Sequence, residues 1–259
     1  MDFKVITSRE NSLIKLVSSL QDSRKSRKEN GLFVLEGLRI CKDAFDNGIQ
    51  FDKLIVSESA FQKLNNDVLL FTKNSLENYK ITDSLFKKIS DTKSPQGIIA
   101  LCSLKNLIKQ DIDAKGKYIA LENLSDPSNL GAISRTAEAL GVSGIILSDD
   151  SCDPFSPKAL RVSMGTLLRM PLFIFDDFRE NLKDCGLKVY ACVVDSNAEK
   201  INSVKFTEGS VVLIGNEANG IEDETKKICD KLITIPMQGR AESLNAAVAS
   251  SIAMWEMMK

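Results

Sequence analysis

Short apolar runs alternate with helical patterns through the second half of the chain. Apolar runs bounded by turn residues predict strands at residues 118–121, 144–147, 172–175, 189–194, 211–214 and 232–235. The stretches between these runs have the length and residue spacing of helices. Strands that alternate with helices are typical of a mostly parallel sheet covered on both faces. The sequence therefore predicts an α/β fold for this part of the chain.

The first part of the chain has a less regular pattern. Apolar residues on one helical face predict a helix over residues 12–23, and a second helix is predicted over residues 36–45. Strands are predicted at residues 32–35, 51–57, 68–71 and 97–103. These elements indicate a small α/β unit, which we predict as residues 1–104. A polar linker at 105–117 leads to the second domain at 118–259.

The composition excludes several kinds of chemistry. The chain has no histidine, which rules out Ser-His-Asp and Cys-His catalysis and most catalytic zinc sites. No two of its six cysteines are spaced as C-x-x-C, so we expect no metal site and reduced thiols. There is no long apolar run and no signal-peptide pattern. We expect a soluble, cytoplasmic protein without a membrane segment.

Charge is distributed unevenly along the chain. Residues 1–110 hold 18 Lys and Arg against 13 Asp and Glu, while the remainder holds 16 against 22. The densest basic run is Arg24-Lys25-Ser26-Arg27-Lys28. A basic first part is typical of proteins that bind a polyanion, although such imbalances also occur by chance on surfaces.

Two loops that follow predicted strands contain residues that could support chemistry. The first loop contains Asp126-Pro127 and Asn129-Leu130-Gly131, and Arg135 lies one turn inside the helix that follows. Arginine beside a helix N-terminus is suited to binding phosphate, but it could also be a surface residue. The second loop is Gly215-Asn216-Glu217-Ala218-Asn219-Gly220, which could also be an ordinary turn between a strand and a helix.

A third loop follows the last predicted strand. It contains Ile235-Pro236-Met237 and Ser243-Leu244-Asn245, and Ser243 is a plausible N-cap for the final helix. On that helix Leu244, Val248, Ile252 and Trp255 form a stripe, which indicates core packing or a subunit interface.

The three loops, in this order, resemble the three motifs of the SpoU/TrmH family of RNA ribose 2′-O-methyltransferases in the SPOUT superfamily. The matching residues are Asn129-Leu130-Gly131 with Arg135-Thr136-Ala137, Ile214 to Gly220, and Ile235-Pro236-Met237 with Ser243-Leu244-Asn245. Segment Arg161 to Gly165 also resembles a part of the family. Three segments of the first part are Ser8-Arg9-Glu10-Asn11, Phe33-Val34-Leu35-Glu36-Gly37 and Ser94-Pro95-Gln96-Gly97. Through them this part is similar to the RNA substrate-binding domain of such enzymes, whose fold is like that of ribosomal protein L30e.

The resemblance implies a deep trefoil knot in the second domain, a homodimer with an active site completed across its interface, and S-adenosylmethionine (AdoMet) as the methyl donor. The cofactor-binding residues that it implies are Ile214, Gly215, Asn216, Ile235, Met237, Leu244 and Asn245. The RNA-binding residues that we predict are Arg9, Arg24, Lys25, Arg27, Lys28 and Arg39.

The resemblance also implies the catalytic residues. Arg135 would act on the ribose 2′-hydroxyl, with Asn129, Glu217, Ser243 and Asn245 around it. Arginine is a poor base, because its pKa stays above about 12 in proteins. It would therefore either lose a proton transiently beside an RNA phosphate, or clamp that phosphate while another group or water accepts the proton. We favour the clamp.

Three functions compete at this point. The first is an AdoMet-dependent methyltransferase acting on ribosomal RNA, with transfer RNA as the alternative substrate. The second is a non-catalytic RNA-binding or ribosome-assembly protein on the same fold. The third, a general nucleotide-binding enzyme, lacks any recognised phosphate loop in the sequence.

Overall fold

The computed structural model describes residues 3–63 and 65–259. The chain divides into two compact units. The first unit comprises the chain up to Lys105 together with Phe155–Leu168, and the second comprises Asn106–Pro154 with Arg169–Lys259. Segment Phe155–Leu168 thus groups with the first unit, whereas the sequence pattern places it in the second domain. The domain boundaries themselves stay a prediction.

The helices and strands follow one another along the chain with short connections. Up to Lys105 the elements are β1 (Lys4–Ile6), α1 (Ser12–Asp22), α2 (Arg24–Asn30), β2 (Leu32–Glu36), α3 (Leu38–Asp46), β3 (Phe51–Ser57), α4 (Glu58–Lys63), α5 (Asn65–Asn74), β4 (Ser75–Ile81), α6 (Asp83–Ile89) and β5 (Ile98–Ser103). From Asn106 they are β6 (Lys117–Leu121), α7 (Pro127–Leu140), β7 (Gly144–Ser148), α8 (Pro157–Ser163), α9 (Thr166–Arg169), β8 (Leu172–Phe175), α10 (Phe178–Asp184), β9 (Lys188–Cys192), β10 (Glu199–Lys200), β11 (Ser210–Ile214), α11 (Asp223–Ile228), β12 (Lys231–Thr234) and α12 (Ala246–Met258).

The first unit contains a mixed sheet in the order β1-β4-β3-β5-β2. Strand β4 is parallel to β1 and β3, while β5 is antiparallel to β2 and β3. A core on one face of this sheet joins α1 and α6 through residues such as Val17, Leu20 and Phe86. The predicted strand at residues 68–71 is wrong, because these residues lie inside α5. Four apolar residues in a row fit a buried turn of helix as well as a strand.

Segment Phe155–Leu168 packs within the first unit through an aromatic pair and an ion pair. The ring of Phe155 lies 5.2 Å from that of Phe33, and Phe33 is fully buried in β2. The guanidinium of Arg161 in α8 pairs with the carboxylate of Asp91. These contacts explain why a segment so far along the chain belongs to the first unit.

Arg27 has a different role from the one that the basic run predicts. Its side chain is only 4% exposed, and its guanidinium donates hydrogen bonds to the carbonyls of Leu20 and, at 3.1 Å, Gln21. Both carbonyls belong to the last turn of α1, where the helix leaves carbonyl groups without partners of its own. Arg27 therefore joins α2 to the end of α1, and this placement contradicts its prediction as a phosphate contact.

We expect Arg27→Ala to lower the free energy of unfolding by about 2–3 kcal/mol, because it leaves buried carbonyls without their charged donor. Urea unfolding followed by circular dichroism measures the change. The matched control is Lys25→Ala on the same helix, which removes only an exposed ion pair with Glu29 and should change stability by less than about 0.5 kcal/mol. Equal stability of the two variants would show that Arg27 does not anchor α1.

The second unit contains a seven-stranded sheet in the order β10-β12-β9-β11-β6-β7-β8. Each strand pair that the structure describes in this sheet is parallel. The central strands β6, β7 and β11 are apolar and almost fully buried, as expected for a parallel sheet covered on both faces. This architecture confirms the predicted α/β fold with a mostly parallel sheet.

Helix α12 packs against α7, β6 and β11. It buries Ala246, Ser250, Ala253, Met254 and Met257, which are all small residues or methionines. The stripe seen in the sequence lies on a different side, since Val248 is 48% exposed and Trp255 is 56% exposed. The structure thus excludes this stripe from the core of the described chain. None of the helices in the described part of the chain is long and apolar enough to cross a membrane.

Candidate functional site

The strand order of the second unit brings the predicted motif loops together. Strands β6 and β11 are neighbours although about ninety residues separate them, and β6 leads on to β7 while β11 lies beside β9. Ligands of open α/β sheets bind at the carboxyl ends of strands at such a switch in strand order. The first two motif loops begin at these ends, directly after Leu121 and Ile214.

The loop after β6 is fixed by the start of α7. Asp126 caps this helix by accepting a hydrogen bond from the Ser128 N–H at 2.9 Å, and Pro127 occupies the first turn. Asn129 follows within the same turn and is only 8% exposed. The cap therefore places the Asn129 amide in the interior of the loop, where its hydrogen-bonding groups need partners.

Glu217 in the loop after β11 supplies those partners. Its carboxylate accepts hydrogen bonds from the Asn129 side-chain amide at 2.9 Å, the Ser125 N–H at 3.0 Å and the Asp126 N–H at 3.1 Å. Partial burial acts to raise the pKa of Glu217, but the hydrogen bonds from Ser125, Asn129 and Asp126 outweigh it and hold the pKa below its usual value. Glu217 is therefore an ionised acceptor that ties the second loop to the first.

Asn245 joins the third loop to the same group. Its side-chain amide donates to the Asn129 carbonyl oxygen at 3.0 Å. Its own carbonyl oxygen accepts from the backbone N–H groups of Ala247 and Val248, so that Asn245 is the N-cap of α12. The prediction that Ser243 caps this helix is wrong, because α12 begins at Ala246 and not at Leu244. Glu217, Asn129 and Asn245 thus form one hydrogen-bonded chain across all three loops, which we call the three-loop network.

Gly215 and Asn216 give the second loop its shape. Backbone hydrogen bonds run in both directions between Asn216 and Gly220, at 3.0 and 2.9 Å. A Cβ atom on Gly215 would lie 2.2 Å from the backbone carbon of Gly220, so no larger residue fits there. The side chain of Asn216 donates to the Asn123 carbonyl at 2.7 Å and the Ser125 hydroxyl at 2.8 Å. Sequence reasoning missed Asn123 and Ser125, whose only signal is their place directly after an apolar strand.

A cavity of about 560 Å³ opens beside the three-loop network. Its walls come from the ends of β9, β11 and β12 and from the start of α12. Six of the seven predicted cofactor residues line it, namely Ile214, Gly215, Asn216, Ile235, Met237 and Leu244. The seventh, Asn245, is not among the lining residues. Glu217 and Ser243 also face this cavity, so it joins predicted cofactor-binding and catalytic residues.

Arg135 is not bonded to these polar groups in the described chain. It is exposed on α7 and makes no side-chain hydrogen bond or salt bridge with any other residue that the structure describes. Asn129, Glu217 and Asn245 are therefore joined directly, whereas Arg135 is presented to solvent. An unpaired guanidinium keeps all its donors available for an anionic ligand.

The predicted RNA contacts lie on the first unit. Lys25, Lys28, Arg9 and Arg39 are exposed, and Arg24 is half-buried. Arg9 lies 3.5 Å from the carboxylate of Glu10. With Arg27 buried, the exposed part of the basic run is reduced to Lys25 and Lys28 with Arg24 beside them. Within residues 3–63 and 65–259, no cluster of His, Cys, Asp and Glu side chains could hold a metal ion.

Two family models match the chain. The model of the SpoU rRNA Methylase family matches residues 116–255, and that of the MRM3-like substrate binding domain matches residues 11–100. The first match covers more than half of the chain and includes all three motif loops. The chain therefore belongs to the SpoU rRNA Methylase family of RNA methyltransferases.

Similar proteins match over nearly the whole chain. An uncharacterized tRNA/rRNA methyltransferase of Synechocystis sp. is 30% identical, over 98% of this chain and 93% of its own length. The 23S rRNA (guanosine(2553)-2′-O)-methyltransferase RlmP of Bacillus subtilis is 27% identical, over 98% and 99%. The crystal structure of an AdoMet-bound rRNA methyltransferase from Sinorhizobium meliloti has a TM-score of 0.85 and 28% identity, over 98% and 97%.

Proposed function

We propose that this protein transfers a methyl group from AdoMet to a ribose 2′-hydroxyl of RNA, with ribosomal RNA as the substrate. The observation that carries the proposal is the three-loop network, which joins one polar residue from each motif beside a single cavity. Relatives similar over the whole chain support the substrate, since one is named a 23S rRNA 2′-O-methyltransferase and another an AdoMet-bound rRNA methyltransferase.

The cavity has the chemistry that AdoMet requires. Ile214, Ile235 and Leu244 give it apolar walls for an adenine ring. Gly215 also lines the cavity, and it has no space for a side chain because the backbone of Gly220 and Ile221 packs against it. When bound, AdoMet supplies a methyl group that a positively charged sulfur has already activated. We assign its binding to Ile214, Gly215, Asn216, Ile235, Met237 and Leu244, with Asn245 orienting the third loop.

The three-loop network holds the geometry of the reaction. Ionised Glu217 accepts three hydrogen bonds and fixes the Asn129 amide, which in turn holds Asn245 at the start of α12. Such a chain keeps the loops from separating when RNA approaches, and a misplacement of about 1 Å in an active site can cost a hundredfold in rate. Ser243 lies at the cavity, where its hydroxyl is available to the ribose.

Arg135 binds the RNA phosphate next to the reactive ribose and orients the 2′-hydroxyl. The guanidinium is exposed and keeps its donors for a bidentate contact with phosphate. Another group or water accepts the proton, since a guanidinium stays protonated far above neutral pH. Methyl transfer from a sulfonium needs no metal, and the residues assigned here include no metal ligands.

The active site is completed in a homodimer. Val248 and Trp255 form an exposed apolar stripe on α12, which packs beside α7, the helix that carries Arg135. A second copy of the chain that covers this stripe would bring a partner surface close to Arg135.

The finer features of the fold belong to the same proposal: a deep trefoil knot in the second unit and an L30e-like fold in the first. The reaction on ribosomal RNA takes place in the cytoplasm.

The proposed function is tested by incubating the purified protein with tritiated AdoMet and unmodified ribosomal RNA or transfer RNA. We expect label in ribosomal RNA, at a nucleotide whose 3′ phosphodiester bond becomes resistant to alkali, because a 2′-O-methyl group blocks cleavage there. Label only in transfer RNA would correct the substrate. Tight RNA binding without any label in either RNA would indicate a non-catalytic RNA-binding protein.

The basic run supports a further expectation about RNA affinity. Changing Arg24, Lys25 and Lys28 together to Glu should weaken RNA binding and lower the slope of log K against log[salt] by about 0.7–0.9 for each phosphate that the variant no longer neutralises. Filter binding at several salt concentrations measures both quantities. The control changes three exposed lysines of the second unit, Lys183, Lys200 and Lys205, to Glu, which gives the same net charge. Equal RNA affinity of the two variants would remove the basic run from the RNA-binding surface.

A further inference from the structure

Glu122 is a buried carboxylate that the proposed reaction has not used. It follows β6 directly and is only 3% exposed. Its Oε2 accepts a hydrogen bond from the Glu222 N–H at 2.9 Å, and its Oε1 accepts one from the hydroxyl of Thr225, which is fully buried in α11. Both carboxylate oxygens therefore have partners, as a buried charged group requires.

The backbone of Glu122 makes a further contact on the same loop. Its N–H donates to the Ile214 carbonyl at 2.9 Å. Ile214 is the residue before the loop Gly215 to Ile221, and Glu222 is the residue after it. Glu122, directly after β6, thus contacts both ends of the loop that carries Glu217. Breaking the carboxylate contacts would loosen the end at Glu222, whose side chain would keep its contacts with Asn123 and Arg179, and would leave the end at Ile214 in place.

The carboxylate of Glu122 extends from the first loop to the second, and the carboxylate of Glu217 extends from the second loop to the first. Glu122 reaches from the end of β6 to the far end of the second loop, while Glu217 reaches from the second loop back to Ser125 and Asp126. The position of Glu217 relative to Asn129 therefore depends on where the second loop ends. The buried side chain of Glu122 fixes that end by accepting the Glu222 N–H, and the buried hydroxyl of Thr225 holds the Glu122 carboxylate in turn.

The surroundings of Glu122 favour a tightly held group. Burial raises the pKa of Glu122, and the hydrogen bonds from Thr225 and Glu222 oppose that shift. The negative charge of Glu222 raises the pKa of Glu122, and the positive charge of Arg179 lowers it. Arg179 and Glu222 pair at 3.5 Å.

We propose that Glu122 is a positioning residue for methyl transfer, which holds the second motif loop at both ends and so keeps Glu217 against Asn129. This inference rests on the proposed function, because the loop it orders is the one assigned to AdoMet binding and to the three-loop network. Glu122 has no direct contact with substrate in this role. Its effect passes through Glu222 and Thr225 to Glu217.

The test compares Glu122→Ala with Thr225→Val, which removes only a hydroxyl. We expect kcat for methyl transfer to fall about a hundredfold in Glu122→Ala and about tenfold in Thr225→Val, with KM for RNA unchanged. Glu122→Gln and Thr225→Ser should recover most of the loss, because a glutamine can accept from Glu222 and donate to Thr225, and serine keeps the hydroxyl. The matched control is Glu224→Ala on α11, which removes only the exposed pair with Lys227.

Amide hydrogen exchange of the folded protein gives a readout that does not need RNA methylation. In both Thr225→Val and Glu122→Ala, the amides of residues 216–222 should exchange at least tenfold faster than in wild type. The exchange rates of the β7 amides should stay near wild type, and so should the melting temperature of Thr225→Val. If Glu122→Ala does not fold, the Thr225 pair carries the test. Unchanged exchange in this loop, or a kcat that falls equally in Thr225→Ser and Thr225→Val, would overturn the proposal. A wild-type protein that methylates no RNA would overturn the proposed function and leave the exchange result valid.

Discussion

Arg135→Ala should lower kcat for methyl transfer to RNA by at least about 10²–10³-fold, the size of effect seen when one charged or polar donor is removed from an active site. AdoMet affinity should stay at the wild-type value, because Arg135 lies on α7 and does not line the cavity. Stability should change little, since the guanidinium makes no side-chain contact with charged or polar groups of the described chain. Single-turnover methylation and isothermal titration with AdoMet measure the two effects separately.

Two further variants define what Arg135 does. Arg135→Lys keeps the positive charge but loses the planar fork, so we expect activity between those of wild type and Arg135→Ala if bidentate phosphate binding matters. Lys183→Ala, an exposed cation on α10, is the control for a general loss of positive charge. Near-normal activity of Arg135→Ala would show that Arg135 takes no part in methyl transfer, whether or not AdoMet binds in the cavity.

Gly215→Ala should weaken AdoMet binding about ten- to a hundredfold. The added methyl carbon would lie 2.2–2.3 Å from backbone atoms of Gly220 and Ile221, so the backbone bridge between Asn216 and Gly220 has to open. Overpacking costs about 1–3 kcal/mol, and each 1.4 kcal/mol is a tenfold change in affinity. Because the strained loop carries Glu217, kcat should fall as well.

The control for this variant is Gly239→Ala. A Cβ atom on Gly239 meets nothing within 4 Å, and the residue lies in the third motif loop close to Met237. Titration with AdoMet should therefore give wild-type affinity for Gly239→Ala. Wild-type affinity for Gly215→Ala as well would mean that the second loop does not form the wall of the cofactor site.

The parallel sheet of the second unit was predictable because its strands carry their own signal. Because β7 and β11 are buried on both faces, they are continuous apolar runs. Such runs can be predicted as strands from the local sequence alone, without knowledge of the strands they pair with. Strand β4 was missed for the opposite reason. Its sequence, Ser-Leu-Glu-Asn-Tyr-Lys-Ile, is mostly polar and half-buried, and its pairing with β1 and β3 decides its conformation.

The candidate site was predictable in part. Motif residues such as Glu217 and Asn129 were found through a family resemblance, but their hydrogen bond joins positions 88 residues apart and no local pattern encodes it. Glu122 was missed because a single carboxylate after a strand is common in sequences. Its function depends on Thr225, far along the chain. Arg27 was misassigned because a run of five residues contains both exposed and buried helix positions, which composition does not distinguish.

The aromatic pair of Phe33 and Phe155 bears on how the polypeptide matures during translation. Phe33 emerges from the ribosome more than a hundred residues before its partner, and until then its ring lacks the apolar contact with Phe155. Apolar surface left open in a nascent chain is prone to aggregation and to chaperone capture. A fragment that stops at Lys105 should therefore be less soluble than the same fragment supplied with a peptide of residues 155–168.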